Sequence, residues 1–277
     1  MTRQEFKEKC ISLRKQDFTI TEIVKILNKP KSSIHFHVKN IPPTSKLLQK
    51  IREKSVNHLH KIRPNLKGIS WKKRYCRGFT TWTTDLVNLV AHIIFDGELK
   101  TTAVFYNNRS QKLITDFENN MKILYDFKPK VYIKPGEVIR LAYYSVELAD
   151  FIRTKRDRLL NNITLFEKDY QRSFLKAFFD DEGCISFLNR KRIVRGYQYN
   201  NNILYLVQKL LENFKIESKV DARFNEIIIS RRENLEKFAK EINFSPGVRV
   251  NGKRSNSIWK KSLEKRQILN MALSSYI

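Results

Sequence analysis

Cysteine is scarce in this chain of 277 residues: Cys10, Cys76 and Cys184 are all it has. An odd number without short spacing excludes a disulfide framework and a cysteine-built zinc site. Long apolar runs are also missing. None approaches the ~20 residues a membrane-spanning helix needs, and the start, MTRQEFKEKC, has no apolar signal core. No membrane partner is expected, and the expected location is cytoplasmic, a prokaryotic cytosol. Acids are outnumbered, 28 Asp and Glu against 54 Lys and Arg, for a net charge of +26. Such self-repulsion is best tolerated beside a polyanion, and nucleic acid is the first one to consider. Histidines number five and include the pairs His35/His37 and His58/His60. Alternate residues point to different sides of a helix, so a shared metal is not expected there.

What is present starts with three short helical patterns in residues 2–41. Glu5 to Arg14 is amphipathic. Residues 19–27 carry Ile20, Ile23, Val24 and Leu27 at helical spacing behind Thr19 or Thr21 as a cap. Asn28 tolerates a left-handed turn, and Ser32 is the expected cap of a third helix. Ile34 and Val38 face inward there, and Lys31, Ser33, His35 and Lys39 face out. The segment FTITEIVKILNKPKSSIHFHVKN resembles the helix-turn-helix domains of prokaryotic regulators. That resemblance implies that Lys31, Ser33, His35 and Lys39 meet DNA; a generic three-helix unit is the alternative.

Pro42-Pro43 ends this module. Residues 44–83 hold 11 Lys and Arg and a single acid, Glu53. An amphipathic helix is expected to about residue 62. Beyond it Trp71, Tyr75, Phe79 and Trp82 alternate with Lys72, Lys73, Arg74 and Arg77. The cations, Lys72, Lys73 and Arg74 among them, suit phosphate contact. The aromatics suit packing onto the main domain better than base stacking.

After Thr84 the chain reads twice on one template. LVAHIIFDG, residues 89–97, and LKAFFDDEG, residues 175–183, are apolar helices ending in an acid and a glycine. In the first copy a helix Asp85–Phe95 is followed by a strand Glu98–Tyr106, a helix from Ser110 through Phe127, a hairpin around Pro135-Gly136 and a helix Val146–Thr154. In the second, Tyr170–Asp181 is a helix, then come two strands, a helix Asn202–Phe214, a second hairpin and a helix Leu235–Ile242. Both copies have the order αββαββα. A last helix, Ser257–Ser274, is expected to pack back on the protein. His92 is read as a packing histidine and Cys184 as a small core residue.

These duplicated acid-ended helices, with FLKAFFDDEGCISF the most specific stretch, resemble the LAGLIDADG homing endonucleases in their single-chain, two-repeat form. The resemblance covers about residues 84–245. It implies an α+β fold: tandem αββαββα repeats with pseudo-twofold symmetry and a β-sheet saddle over DNA, preceded by a small all-α helix-turn-helix domain. The expected division is 1–41, the helix-turn-helix; 42–83, a basic linker; 84–166, the first repeat; and 167–277, the second repeat with the last helix. The next-to-last acid of each motif binds divalent metal in that family, which maps onto Asp96 and Glu182. Mg²⁺ or Mn²⁺ would be held there, beside Gly97, Gly183 and Asp181. Lys134 and Arg231 are candidates to assist catalysis. The saddle cations would be Lys100, Lys130 and Arg140 in the first copy and Arg190, Arg192, Arg195, Lys219 and Arg223 in the second, with Lys253 and Arg254 in the tail. On their own, Asp96 and Glu182 could equally be helix stops at turns. Phe95 and Asp181 stand where the family has a small residue before the acid, and this predicts a wider or rotated seam between the helices.

The expected function is a monomeric, metal-dependent, site-specific endonuclease acting on double-stranded DNA. A transcription regulator that has lost the chemistry of the same scaffold is the main alternative; a role in RNA processing is the third. The chain lacks a splice-junction signature of an initial Cys with a final His-Asn, so it is not expected to be an intein.

Overall fold

The computed structural model describes residues 2–66, 81–188, 191–252 and 260–276. It consists of two compact units, Met1–Arg74 and Tyr75–Ile277.

The first unit holds α1 (Arg3–Lys15), α2 (Ile20–Leu27), α3 (Lys31–Val38) and α4 (Ser45–Leu66). Thr2 with Glu5 and Thr19 with Glu22 form reciprocal capping boxes at α1 and α2. Asn28 ends α2 in the left-handed conformation, φ 46°. The expected cap Ser32 lies inside the first turn of α3, because Pro30 occupies the cap position. Cys10, Ile23, Ile34 and Val38 make the core of the unit. The other face of α3 leaves Lys31, Ser33, His35, Phe36 and Lys39 exposed.

The second unit repeats one arrangement. The first copy runs α5 (Thr84–Asp96), β1 (Gly97–Leu99), β2 (Ala103–Asn108), α6 (Gln111–Tyr125), β3 (Lys130–Lys134), β4 (Val138–Tyr144) and α7 (Val146–Asn162). A 3-10 turn, Ile163–Leu165, leads to the second copy: α8 (Lys168–Asp181), β5 (Gly183–Leu188), β6 (Lys191–Tyr197), α9 (Asn201–Asn213), β7 (Lys219–Asp221), β8 (Glu226–Ile229) and α10 (Arg232–Glu241). A last helix, α11 (Lys265–Ser274), follows. Each copy builds a four-stranded antiparallel sheet, in the orders β1-β2-β4-β3 and β5-β6-β8-β7.

Other expectations change too: the helix expected to end at Thr154 runs to Asn162. The strand expected over 98–106 is a hairpin, because Lys100 N–H closes a turn on the Ala103 carbonyl at 2.9 Å. The last helix starts at Lys265, eight residues later than expected.

The helices α5 and α8 pack against each other at the centre. Leu86, Val87, Leu89, Val90, Ala91, His92, Ile93 and Phe95 of α5 are all buried. A helix apolar on every side belongs inside a core, and each such aliphatic or aromatic side chain contributes roughly 1.5–3 kcal/mol when buried. Phe95 fills the seam edge-on against Phe174 and Phe178, with ring centroids 5.3 and 5.1 Å away. Among the described residues no helix is long and apolar enough to cross a membrane.

Candidate metal centre and nucleic-acid face

The seam brings the ends of α5 and α8 together. Asp96 is the last residue of α5 and Glu182 caps α8. The glycine after each acid starts a strand that folds straight back over the last helical turn. A Cβ on Gly97 would sit 2.4 Å from the Ile93 carbonyl oxygen, and one on Gly183 would sit 2.3 Å from that of Phe179. Only a residue without a side chain fits so close to backbone, so each glycine fixes where its acid stands.

Asp96 Oδ2 accepts a 2.7 Å hydrogen bond from Asn108 Nδ2. Glu182 Oε1 accepts from Gln198 Nε2 at 3.4 Å. Burial and the Asp181 charge push Asp96 up to about 7. Burial, then the charges of Asp96 and Asp181, push Glu182 up to about 8. Without a cation, this corner resists holding all its negative charge.

Asp181 has a different place. Its side chain is fully buried, and Oδ2 lies 2.7 Å from His92 Nδ1. Tyr106 Oη donates to Oδ1 at 2.8 Å, and Asn108 Nδ2 reaches the same oxygen at 3.2 Å. Burial alone would lower the His92 pKa; the Asp181 charge and hydrogen bond reverse this and raise it. Both oxygens of Asp181 are thus occupied by groups from the first copy. His92 is buried and hydrogen-bonded, as a packing histidine is expected to be.

Lys134 donates to Asn107 Oδ1 at 3.2 Å, and Asn107 Nδ2 donates to the Asp96 carbonyl at 3.4 Å. Lys134 therefore sits one residue away from the acidic end. Arg231 is exposed and donates to Glu217 at 3.3 Å, so its recorded partner is a surface acid and neither Asp96 nor Glu182. Among the described residues, no group of three or more His, Cys, Asp or Glu side chains is arranged to hold a metal ion.

Alternation along the strands gives the first sheet a core face, with Val104, Tyr106, Leu141 and Tyr143, and an outer face. Register aligns Glu98, Phe105, Ala142 and Lys130 in one outer row and Asn107, Arg140 and Tyr132 in the next. Arg140 lies 3.8 Å above the Phe105 ring and pairs with Glu98 at 2.5 Å. Lys100 pairs with Glu98 at 3.2 Å, and Lys130 lies over Tyr144. The outer face of the second sheet carries Cys184, Arg195 and Lys219. Cys184 is half-buried there, opposite Arg195, and not in the core, since it falls on the alternate face to Ile185. Arg195 pairs with Glu226 at 3.4 Å. Arg223 is exposed at the hairpin and pairs with Asp221 at 3.0 Å. Arg192 turns to the inner side, where it donates to Ser275 Oγ at 2.6 Å and to the Ser275 carbonyl at 2.9 Å. Lys72, Lys73, Arg74, Arg190, Lys253 and Arg254 lie outside the described residues.

Sequence reading missed Asn108, Gln198, Tyr106 and Lys265. Tyr106 and Asn108 are alternate residues of β2 on the side that faces α5, a polar pair where a wholly apolar face would be expected.

The family model of the LAGLIDADG-like domain matches residues 169–243. Solved structures of mesophilic variants of the homing endonuclease I-DmoI are 23% identical, with a TM-score of 0.47, over 57% of this chain and 90% of theirs. I-DmoI in complex with DNA and Mn is also 23% identical, with a TM-score of 0.46, over 57% of this chain and 96% of its own. Full-length DUF199/WhiA from Thermatoga maritima is 14% identical, with a TM-score of 0.49, over 71% of this chain and 61% of its own. No curated protein matches the chain. The matched residues 169–243 take in nearly all of the acid-ended helix α8, the sheet it feeds and the helices α9 and α10, so the similarity to the LAGLIDADG-like domain falls on the second copy of the repeat.

Proposed function

We propose that this protein is a divalent-metal-dependent endonuclease that cuts double-stranded DNA at a specific site. The observation that carries the reading is the meeting of Asp96 and Glu182 at the ends of two packed helices, each raised in pKa by burial and neighbouring acids. Carboxylates in that condition favour a cation between them. Hard oxygen donors suit Mg²⁺ or Mn²⁺, which are commonly held by one or two carboxylates together with substrate phosphates and water. A two-carboxylate donor set fits that habit. A cation bound there would stabilise charge on a phosphodiester and activate water.

The residues of the chain do the rest. Asn108 holds the Asp96 carboxylate from β2, and Gln198 holds that of Glu182 from just after β6. Asp181, with both oxygens engaged, ties the helices together instead of binding metal. Lys134 is the better placed of the two candidate assisting cations, since Asn107 links it to the Asp96 backbone. Lys130, Arg140, Arg195 and Lys219 offer positive charge on outer faces to phosphates, each contact releasing counterions. The exposed side of α3, with Lys31, Ser33, His35 and Lys39, serves as a second DNA contact that lengthens the recognised site.

The test is incubation with Mg²⁺ and DNA carrying the locus around the gene, beside Asp96→Asn and Glu182→Gln. Double-strand cleavage by the wild type and loss in both variants is expected. Equal cleavage by all three overturns the assignment of the metal. A second reading, a DNA-binding regulator, is favoured by the polar and basic face of α3. Salt-sensitive DNA binding with no nicking in Mg²⁺ or Mn²⁺ selects it.

A further inference from the structure

The residues after the second copy of the repeat return to its acidic end. Val248 accepts a hydrogen bond from Lys265 N–H at 2.9 Å, and Val250 N–H donates to the Leu263 carbonyl at 2.9 Å. Ser245 N–H donates to Asp180 Oδ1 at 2.8 Å. This places the first residue of α11 beneath the last turn of α8. Lys265 is buried, at 7% exposure. Its Nζ donates to the carbonyls of Phe179, at 3.2 Å, and Asp180, at 2.8 Å.

We infer that Lys265 is a positioning residue for the acidic centre: it caps the helix that carries Glu182 and provides an internal counter-charge to the carboxylates where α5 and α8 meet. The inference rests on the reading of Asp96 and Glu182 as the working carboxylates. A buried ammonium is costly unless it is hydrogen-bonded and opposed by negative charge. Two carbonyls at a helix C-terminus meet the first need, being the negative end of the dipole. The acids meet the second. Burial holds the Lys265 pKa below its usual value, and Asp180, then Cys184, Asp181 and Asp96, offset part of that fall. Reciprocally, the Lys265 charge opposes the rise in Asp96, Asp180 and Glu182. The amine points at main-chain oxygens from the α11 side, whereas Lys134 approaches from the sheet, so the two cations have separate tasks.

A double-mutant cycle on thermal stability in EDTA at about pH 9, where Asp96 and Glu182 are both ionised in the fold, tests this without using activity. Lys265→Met is combined with Asp96→Asn/Glu182→Gln, and separately with Asp180→Asn. Lys265→Gln, which keeps a donor without the charge, replaces Met if the Met variant does not fold. Lys265→Met is expected to lower Tm clearly less when Asp96 and Glu182 are already neutral, with a coupling of about tenfold or more in the unfolding constant. Lys265→Arg should restore most of the loss. Equal Tm losses in both backgrounds, or coupling to Asp180 alone, overturn the proposal and leave Lys265 as a buried structural pair. Adding Ca²⁺ to the wild type examines the metal reading separately. A cycle that shows coupling while Ca²⁺ leaves Tm unchanged upholds the counter-charge and removes the metal.

Discussion

In metal-free buffer this protein should become less stable as the pH rises from mildly acidic to mildly alkaline, and Asp96 and Glu182 should account for the loss. In the fold, burial and then the Asp181 charge raise Asp96 from 3.8 to about 7. Burial and then the Asp96 charge raise Glu182 from 4.5 to about 8. Folded pKa values above the unfolded ones mean that the folded state keeps these protons longer. The stability they provide is complete below about pH 4 and is lost as the pH climbs through about 7 to 8. One unit is worth about 1.4 kcal/mol, so a rise of about three units corresponds to about 4 kcal/mol. The Asp96 charge is part of what lifts Glu182, so the two energies overlap, and the pair together is taken as on the order of 4 kcal/mol. For a unit of this size that is about 8–16 °C in Tm. The assay is a series of thermal melts in EDTA between about pH 5 and about pH 8.5, wild type beside Asp96→Asn/Glu182→Gln. His92 and Asp180, also raised, act in the same direction and are present in both proteins. The double variant should therefore hold its Tm better than the wild type at the alkaline end, and Ca²⁺ should restore the wild type there. Parallel profiles for the two proteins would refute the reasoning.

Gly183→Ala forces a Cβ to within 2.3 Å of the Phe179 carbonyl oxygen and 2.8 Å of its Cα, backbone that cannot step aside. A loss of about 2–4 kcal/mol in urea unfolding is expected, and an unchanged midpoint would show that the strand start can move. Asp181→Ala leaves His92 and Tyr106 without the acceptor they share. Breaking such a buried pair should cost about 3–5 kcal/mol; a loss below about 1 kcal/mol would mean that Asp181 does not hold the two helices together.

The repeated fold was legible in the sequence wherever one period ran without interruption. The helix 85–95 is apolar nearly all round and its twin at 170–181 carries Phe174, Leu175, Ala177, Phe178 and Phe179 as a buried face, and the αββαββα order follows from the turns between them. The hairpin inside 98–106 was hidden because Lys100-Thr101-Thr102 turns the chain without glycine or proline. The late start of α11 was hidden because the segment before it carries the same apolar spacing as the helix. Asp96 and Glu182 could be named because each sits beside a glycine in matching contexts. The partners of these acids could not, since Asn108, Gln198 and Lys265 come from three other elements and no local spacing connects them. Lys265 in particular reads as one more cation in a basic tail. What makes it different is burial, which only the packing of α11 beneath α8 supplies.

The two copies differ at the residue before the acid, Phe95 in one and Asp181 in the other, and the difference constrains how they can pair. Phe95 in the first copy needs an apolar partner and finds Phe174 and Phe178. Asp181 in the second needs buried donors and finds His92, Tyr106 and Asn108, every one of them from the first copy. A seam built from two second-copy helices would bury Asp181 twice with none of these donors, at a cost of several kcal/mol for each ion. A seam built from two first-copy helices would leave His92 without the carboxylate that raises its pKa. Mixed pairing alone satisfies both residues. The same exchange of donors from one copy to an acid of the other positions Asp96, because Asn108 reaches both Asp96 and Asp181. A change at Asp181 therefore reaches the candidate metal site through one asparagine, without touching Asp96 itself.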